Sequence, residues 1–127
     1  MYLFISSNDC NLIYPSNSPK DFTVELPQVI EGSALSLLHV VYYKKTNQPI
    51  DRYYYVLCDL VEHSVLGGKE VRVLGSFFES GSLDKPENIA LLSSAIKRIR
   101  IKIVTDDLGD PDDLVAVYLT VKVSHHA

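Results

Sequence analysis

The residues through which this chain could do chemistry are few and poorly spaced for it. It holds four histidines, His39, His63, His125 and His126. The first two stand far apart in separate elements, and the last two are terminal neighbours. Together with Cys10 and Cys58 they match no zinc-ligand spacing, so no metal centre of that kind and no cofactor are expected. Nucleophilic catalysis needs a Ser or Cys, a base within reach of it, and a group that orients the base. Ser64 follows His63, but adjacency along a chain does not aim a hydroxyl at an imidazole. Gly-x-Ser-x-Gly is absent, and neither Gly75-Ser76 nor Gly81-Ser82 rebuilds a nucleophile elbow. Gly67-Gly68 alone is no phosphate loop. The expectation is a protein that is not an enzyme.

Three denser features remain. The run Asp106-Asp107-Leu108-Gly109-Asp110-Pro111-Asp112-Asp113 offers carboxylate oxygens of the kind a hard cation takes, with Asp106, Asp107 and Asp110 as candidate ligands. It lacks the alternating ligands, central Gly and closing Glu of an EF-hand loop. Asp, Gly and Pro equally suit a solvated hairpin turn, which is the preferred reading. Arg98, Arg100 and Lys102, with Lys122, could form a basic stripe against an acidic partner or a nucleic-acid backbone; otherwise they are the wet face of a half-buried strand. Tyr42, Tyr43, Tyr53, Tyr54 and Tyr55 form the densest cluster. Adjacent strand residues point to opposite faces, so some of these rings must lie outside the core. Tyrosine is favoured at interfaces, because the ring buries apolar area while the hydroxyl finds a partner. Tyr42, Tyr43, Tyr53 and Tyr55 are the candidate interface residues, with Arg98, Arg100 and Lys102 as a second candidate face.

The elements that must position these groups all read as strands. Residues 53–78 form two β-rich runs flanking Gly67-Gly68, a hairpin signal. Residues 2–6 are a short strand. Phe22, Val24 and Leu26 alternate with Thr23 and Glu25 in a strand expected to stop at Pro27. Residues 34–45 are a longer apolar strand. Ile99, Ile101 and Ile103 alternate with Arg98, Arg100 and Lys102. Val115, Val117, Leu119, Val121 and Val123 alternate with Ala116, Tyr118, Thr120 and Lys122. Only residues 89–96, with Ala, Leu and Ser, would suit one or two helical turns. About seven to eight strands with turn residues between them predict an all-β antiparallel sandwich, jelly-roll-like. The isoleucines 99, 101 and 103, Val117, Leu119 and Val121, and Phe22, Val24 and Leu26 should form its core.

Length and composition agree. The chain has 127 residues, one domain's worth (1–127), with 46% hydrophobic and 22% charged residues, ordinary for a globular fold. A net charge of −4 argues against a nucleic-acid binder. A Cys10–Cys58 disulfide stays open, but Cys58 sits within a strand, where a buried free thiol is the preferred reading. The first residues lack a basic n-region and a long apolar h-region, and no apolar run reaches a bilayer-spanning length. A chain that is not secreted and has no membrane partner is expected.

The order of several strands resembles a known family. Asp21-Phe22-Thr23-Val24-Glu25-Leu26-Pro27 precedes an apolar strand ending in Tyr42-Tyr43. Tyr54-Tyr55-Val56-Leu57-Cys58-Asp59-Leu60-Val61-Glu62 leads through a turn to Val71-Arg72-Val73-Leu74. Ile99-Arg100-Ile101-Lys102-Ile103-Val104-Thr105-Asp106-Asp107-Leu108-Gly109 precedes the last strand. This order, over most of residues 21–123, resembles the capsid-associated β-proteins (minor capsid or penton-like) of Maverick/Polinton elements and adintovirus-like double-stranded DNA viruses. The resemblance implies a virion structural protein: a minor capsid, penton-like or cement subunit found in the virion. Its partners would be copies of itself, in a closed trimer or pentamer, and other viral coat proteins. The alternative is a viral receptor- or glycan-binding β-module with no capsid-building role.

Overall fold

The computed structural model describes residues 1–8, 13–45, 53–66, 68–78, 87–105, 108–109, 111 and 114–124. Among them no helix forms. Ten strands follow one another: β1 Tyr2–Ser6, β2 Asp21–Glu31, β3 Ala34–Lys44, β4 Tyr53–Cys58, β5 Ser64–Leu66, β6 Lys69–Val71, β7 Val73–Phe78, β8 Ile89–Ala90, β9 Ala95–Thr105 and β10 Leu114–Ser124.

Their pairing has one rule. The first strand pairs with the last, the second with the second last, and so inward: β1·β10, β2·β9, β3·β8, β4·β7 and, at the tip, β5·β6, all antiparallel. The chain is therefore one long nested hairpin. Rolling it up so that successive pairs fall in opposite sheets adds two contacts, β10·β3 and β4·β9. The result is two four-stranded sheets, β1-β10-β3-β8 and β2-β9-β4-β7, with β5-β6 as a small separate ribbon. Eight sandwich strands in this nested order make a jelly roll, in agreement with the expected all-β antiparallel sandwich.

Period-2 alternation explains the layers. Ile99, Ile101 and Ile103 of β9 are buried, as are Val117, Leu119 and Val121 of β10 and Phe22, Val24 and Leu26 of β2, which matches the core expected from sequence. Both sheets supply one continuous apolar cluster, with Leu3 and Leu35 from one side and Val56 and Phe77 from the other. At Gly75 the sheets pack closely: a Cβ built there would lie 2.7 Å from Leu37 Cδ2 and 3.1 Å from Leu37 Cβ, so a side chain at this position of β7 would push Leu37 of β3 aside.

Four expectations need correction. β2 does not stop at Pro27 but runs to Glu31. It lies at a sheet edge, where a missing N–H breaks no ladder bond, and its register slips between Glu25 and Ile30. Residues 89–96 make no helical turn; they supply β8, an isolated bridge from Leu91 to Val61, and the start of β9. Val115 faces outward, 49% exposed, while Ala116 is buried. A bulge between Leu114 and Ala116 shifts the alternation by one residue. Last, β9 and β10 form no hairpin: they belong to different sheets, and most of the acidic segment 106–113 between them lies outside the described residues.

The central hairpin forms in two parts. β4 pairs with β7 at its base, and β5 with β6 at its tip. Gly68 has φ +79, the left-handed backbone that a two-residue hairpin loop requires. Between the two parts the chain turns to other partners. The Asp59 N–H donates to Arg100 O at 3.3 Å, and Arg72 Nη1 donates to Val61 O at 2.9 Å.

Candidate interaction surfaces

The outer face of the β2 sheet carries the expected basic residues. Arg98, Arg100 and Lys102 project outward from β9, opposite Glu25, Thr23 and Asp21 of β2. The strand partner therefore sets acid against base, as favourable cross-strand pairs do. Arg100 grips Asp21 with two bonds, Nε to Oδ1 at 3.0 Å and Nη2 to Oδ2 at 2.8 Å. The Arg100 guanidinium holds the Asp21 carboxyl below its ordinary range; burial opposes part of this, and the charges of Arg100 and Lys102 add to it. Lys122 stands on β10, in the other sheet, so it does not extend this stripe. Much of the β9 charge is thus balanced by β2, and the face is mixed rather than basic.

Beside it the β5-β6 ribbon walls a shallow groove of about 320 Å³ whose lining includes Asp59, His63, Glu70, Arg72, Arg100 and Lys102. The Cys58 thiol lies beneath; burial pushes it up to about 12, the Asp59 charge adding to this and a Leu60 backbone bond opposing it. It is a free, buried thiol and remains protonated at neutral pH, the inert kind rather than the activated kind. His39 belongs to β3 in the other sheet, so the structure does not bring it to His63. Among the described residues no group of three or more His, Cys, Asp or Glu could hold a metal ion. Asp106, Asp107 and Asp110 lie outside the described residues, as do Cys10, His125 and His126.

The five tyrosines divide among three places. Tyr54 is buried and stacks on Phe77 with centroids 5.1 Å apart; Tyr42, half-buried, packs against both at 6.0 and 5.3 Å. Burial raises the Tyr42 phenol, and Tyr54 adds to the shift. This trio belongs to the core edge. Tyr53 and Tyr55 form an outward corner on the β2 sheet with Phe78, at 5.4 Å between the tyrosines and 4.2 Å from Tyr53 to Phe78. The Tyr53 hydroxyl is 3.2 Å from Ser76 Oγ. Tyr43 stands on the opposite side of the molecule, on the outer face of the β1 sheet, edge-on to Tyr118 at 6.1 Å.

That last face is the one sequence reading missed. Tyr2, Phe4, Val41, Tyr43, Val115 and Tyr118 all project from it, and Phe4, 79% exposed, is the most exposed large apolar side chain among the described residues. At the ~150–250 Å² of a whole aromatic side chain, its four rings present roughly 500 Å² to solvent. That lies toward the top of the about 300–600 Å² usual for the largest apolar patch of a monomer, a patch that is often functional. A groove of about 270 Å³ runs between Phe4, His39, Val41 and Tyr118. No Asp or Glu occurs in β1, β3 or β10; the charged side chains there are Lys44 and Lys122. The signal was present: with Leu3 and Ile5 inward, Tyr2 and Phe4 had to face out.

Fold and surfaces together define an antiparallel jelly-roll sandwich with one acid-free aromatic outer face and one of mixed charge. No protein-family model, curated protein or solved structure matches the chain. No helix among the described residues is long and apolar enough to cross a membrane.

Proposed function

We propose that the chain is a virion structural protein, a minor capsid, penton-like or cement subunit that associates with itself and with other coat proteins. The observation that carries the proposal is the outer face of the β1 sheet, where Phe4, Tyr43 and Tyr118 form an exposed, acid-free aromatic patch. Such a patch is held out of water by association, and burying it supplies the driving force. Two further points support the reading. The jelly-roll order is one that viral coat proteins use, though fold alone never fixes function. The resemblance of residues 21–123 to capsid-associated β-proteins points the same way. Sedimentation of the purified protein at high micromolar concentration tests it: a defined oligomer is expected, and a monomer at that concentration overturns self-association.

A further inference from the structure

We propose that β1 pairs antiparallel with β1 of a second copy, about a two-fold axis at Phe4, joining two β1 sheets into one continuous sheet. The proposal rests on the self-association read above and names the contact that makes it.

Each sheet has two edges, and three of the four are blunted. β2 is covered by the segment before it. The Asn17 side chain imitates a strand partner, donating from Nδ2 to Thr23 O at 2.8 Å and accepting the Thr23 N–H on Oδ1 at 2.9 Å. Tyr14 donates to Glu25 Oε2 at 3.1 Å, and Pro27 and three acidic residues lie along the same strand. β8 is two residues long. β7 carries a register shift against β4. Short strands, bulges, proline, charge and covering loops are the means by which proteins protect edges.

Among the described residues β1 has none of them. Its sequence, Tyr-Leu-Phe-Ile-Ser, contains no charge, Gly or Pro, and its five residues pair with β10 in unbroken register. Among the described residues β1 pairs with β10 alone. The ladder also fixes which backbone groups face outward. Val123 donates to Met1 O and Ser7 donates to Val117 O, so the odd-numbered residues bond to β10. Antiparallel alternation then directs the N–H and C=O of Tyr2 and Phe4 to the open side. An axis at Phe4 lets the two Phe4 residues exchange both bonds and sets their exposed rings side by side, a favourable cross-strand pair.

Charge selects this contact over stacking two β1 sheets face to face. Stacking would press the Lys122 ammonium against a facing sheet whose β1, β3 and β10 carry no acid. Edge pairing leaves Lys122 in solvent on β10, interior to the sheet. It also closes on two copies, the commonest symmetry, and extends the aromatic band of Tyr43, Tyr118 and Phe4 across both, ready for a coat partner. This is strand addition with the chain as its own ligand.

Phe4→Pro is the test. Proline deletes an N–H that β10 does not use, at an exposed edge position where proline is tolerated. Sedimentation equilibrium of the wild-type protein should give an even multiple of 14.2 kDa. Phe4→Pro should halve that mass while keeping the wild-type dichroism spectrum. If Phe4→Pro fails to fold, Phe4→Lys replaces it: the N–H remains, but two ammonium groups oppose each other at the axis, and the same halving is expected. An odd multiple in the wild type, or an oligomer unchanged in the folding variant, overturns edge pairing and leaves self-association standing. A wild-type monomer at high micromolar concentration overturns both.

Discussion

β9 and β10 are each eleven residues long, and each lies inside its own sheet. Inward they are alike: Ile99, Ile101 and Ile103 face Val117, Leu119 and Val121 across one core. Outward they differ. β9 shows Arg98, Arg100 and Lys102, answered by acids on β2. β10 shows Val115, Tyr118, Thr120 and Lys122, beside Phe4 on β1 and Tyr43 on β3. The inner halves of the two strands account for the fold, and either would serve in any sandwich. The outer halves are under no such constraint, since a sheet face in water is stable when polar. The fold therefore does not require the exposed rings of Tyr2, Phe4, Tyr43 and Tyr118 on the outer face of the β1 sheet, which is why the proposed self-association is placed there.

The inner faces should carry the largest effects and the outer faces the smaller ones. Replacing Ile101 or Leu119 by Ala should cost about 2–5 kcal/mol each, the range for emptying a buried large aliphatic site. Urea denaturation measures both, and similar losses on the two strands are expected. A negligible loss at either would mean that the two inner faces do not share one core.

The ion pair on the β2 sheet should matter less. The Asp21 and Arg100 side chains are 35% and 58% exposed, so solvent screens them and their pair should contribute no more than about 1 kcal/mol. The sign follows from the depressed Asp21 carboxyl. Its stabilisation is present above the unfolded value near ~3.9 and is lost as pH falls through the lower folded value. Asp21→Asn should flatten that acidic limb of the stability–pH curve and leave the neutral and alkaline limbs parallel to wild type. An unchanged acidic limb would show that the pair does not form in solution. Lys102→Ala, one residue from Ile101 on the same strand, should change stability by no more than about 0.5 kcal/mol; a loss comparable to Ile101→Ala would reverse the register of β9.

The core and the sandwich were legible because both rest on a local signal. Alternation at Phe22, Val24 and Leu26 and at Ile99, Ile101 and Ile103 needs no knowledge of partners. What failed was whatever depended on neighbours. Pro27 looked like a terminator because nothing in sequence says that β2 lies at an edge. Val115 looked buried because a bulge shifts side chains by one residue without leaving a residue type behind it. Residues 89–96 looked helical because Ala, Leu and Ser carry weak preferences that pairing with β3 and β2 overrides. The tyrosines were grouped by closeness in sequence. The roll separates them, sending Tyr43 to one outer face, Tyr53 and Tyr55 to the other, and Tyr42 to the core edge. Phe4 and Tyr118 become partners of Tyr43 only through β1·β10 and β10·β3, contacts between residues over 70 positions apart.

The proposed self-association runs through β1 and its outward rings, not through the outer face of the β2 sheet. Two double variants test it in one sedimentation experiment at matched concentration, each checked for the wild-type dichroism spectrum. Tyr2→Lys with Phe4→Lys charges the β1 edge and its outward rings; Tyr53→Lys with Tyr55→Lys charges the opposite corner. The first should lose or markedly weaken the wild-type oligomer, and the second should retain it. An intact oligomer in the first and a monomer in the second would contradict that placement and move the interface to the charged face.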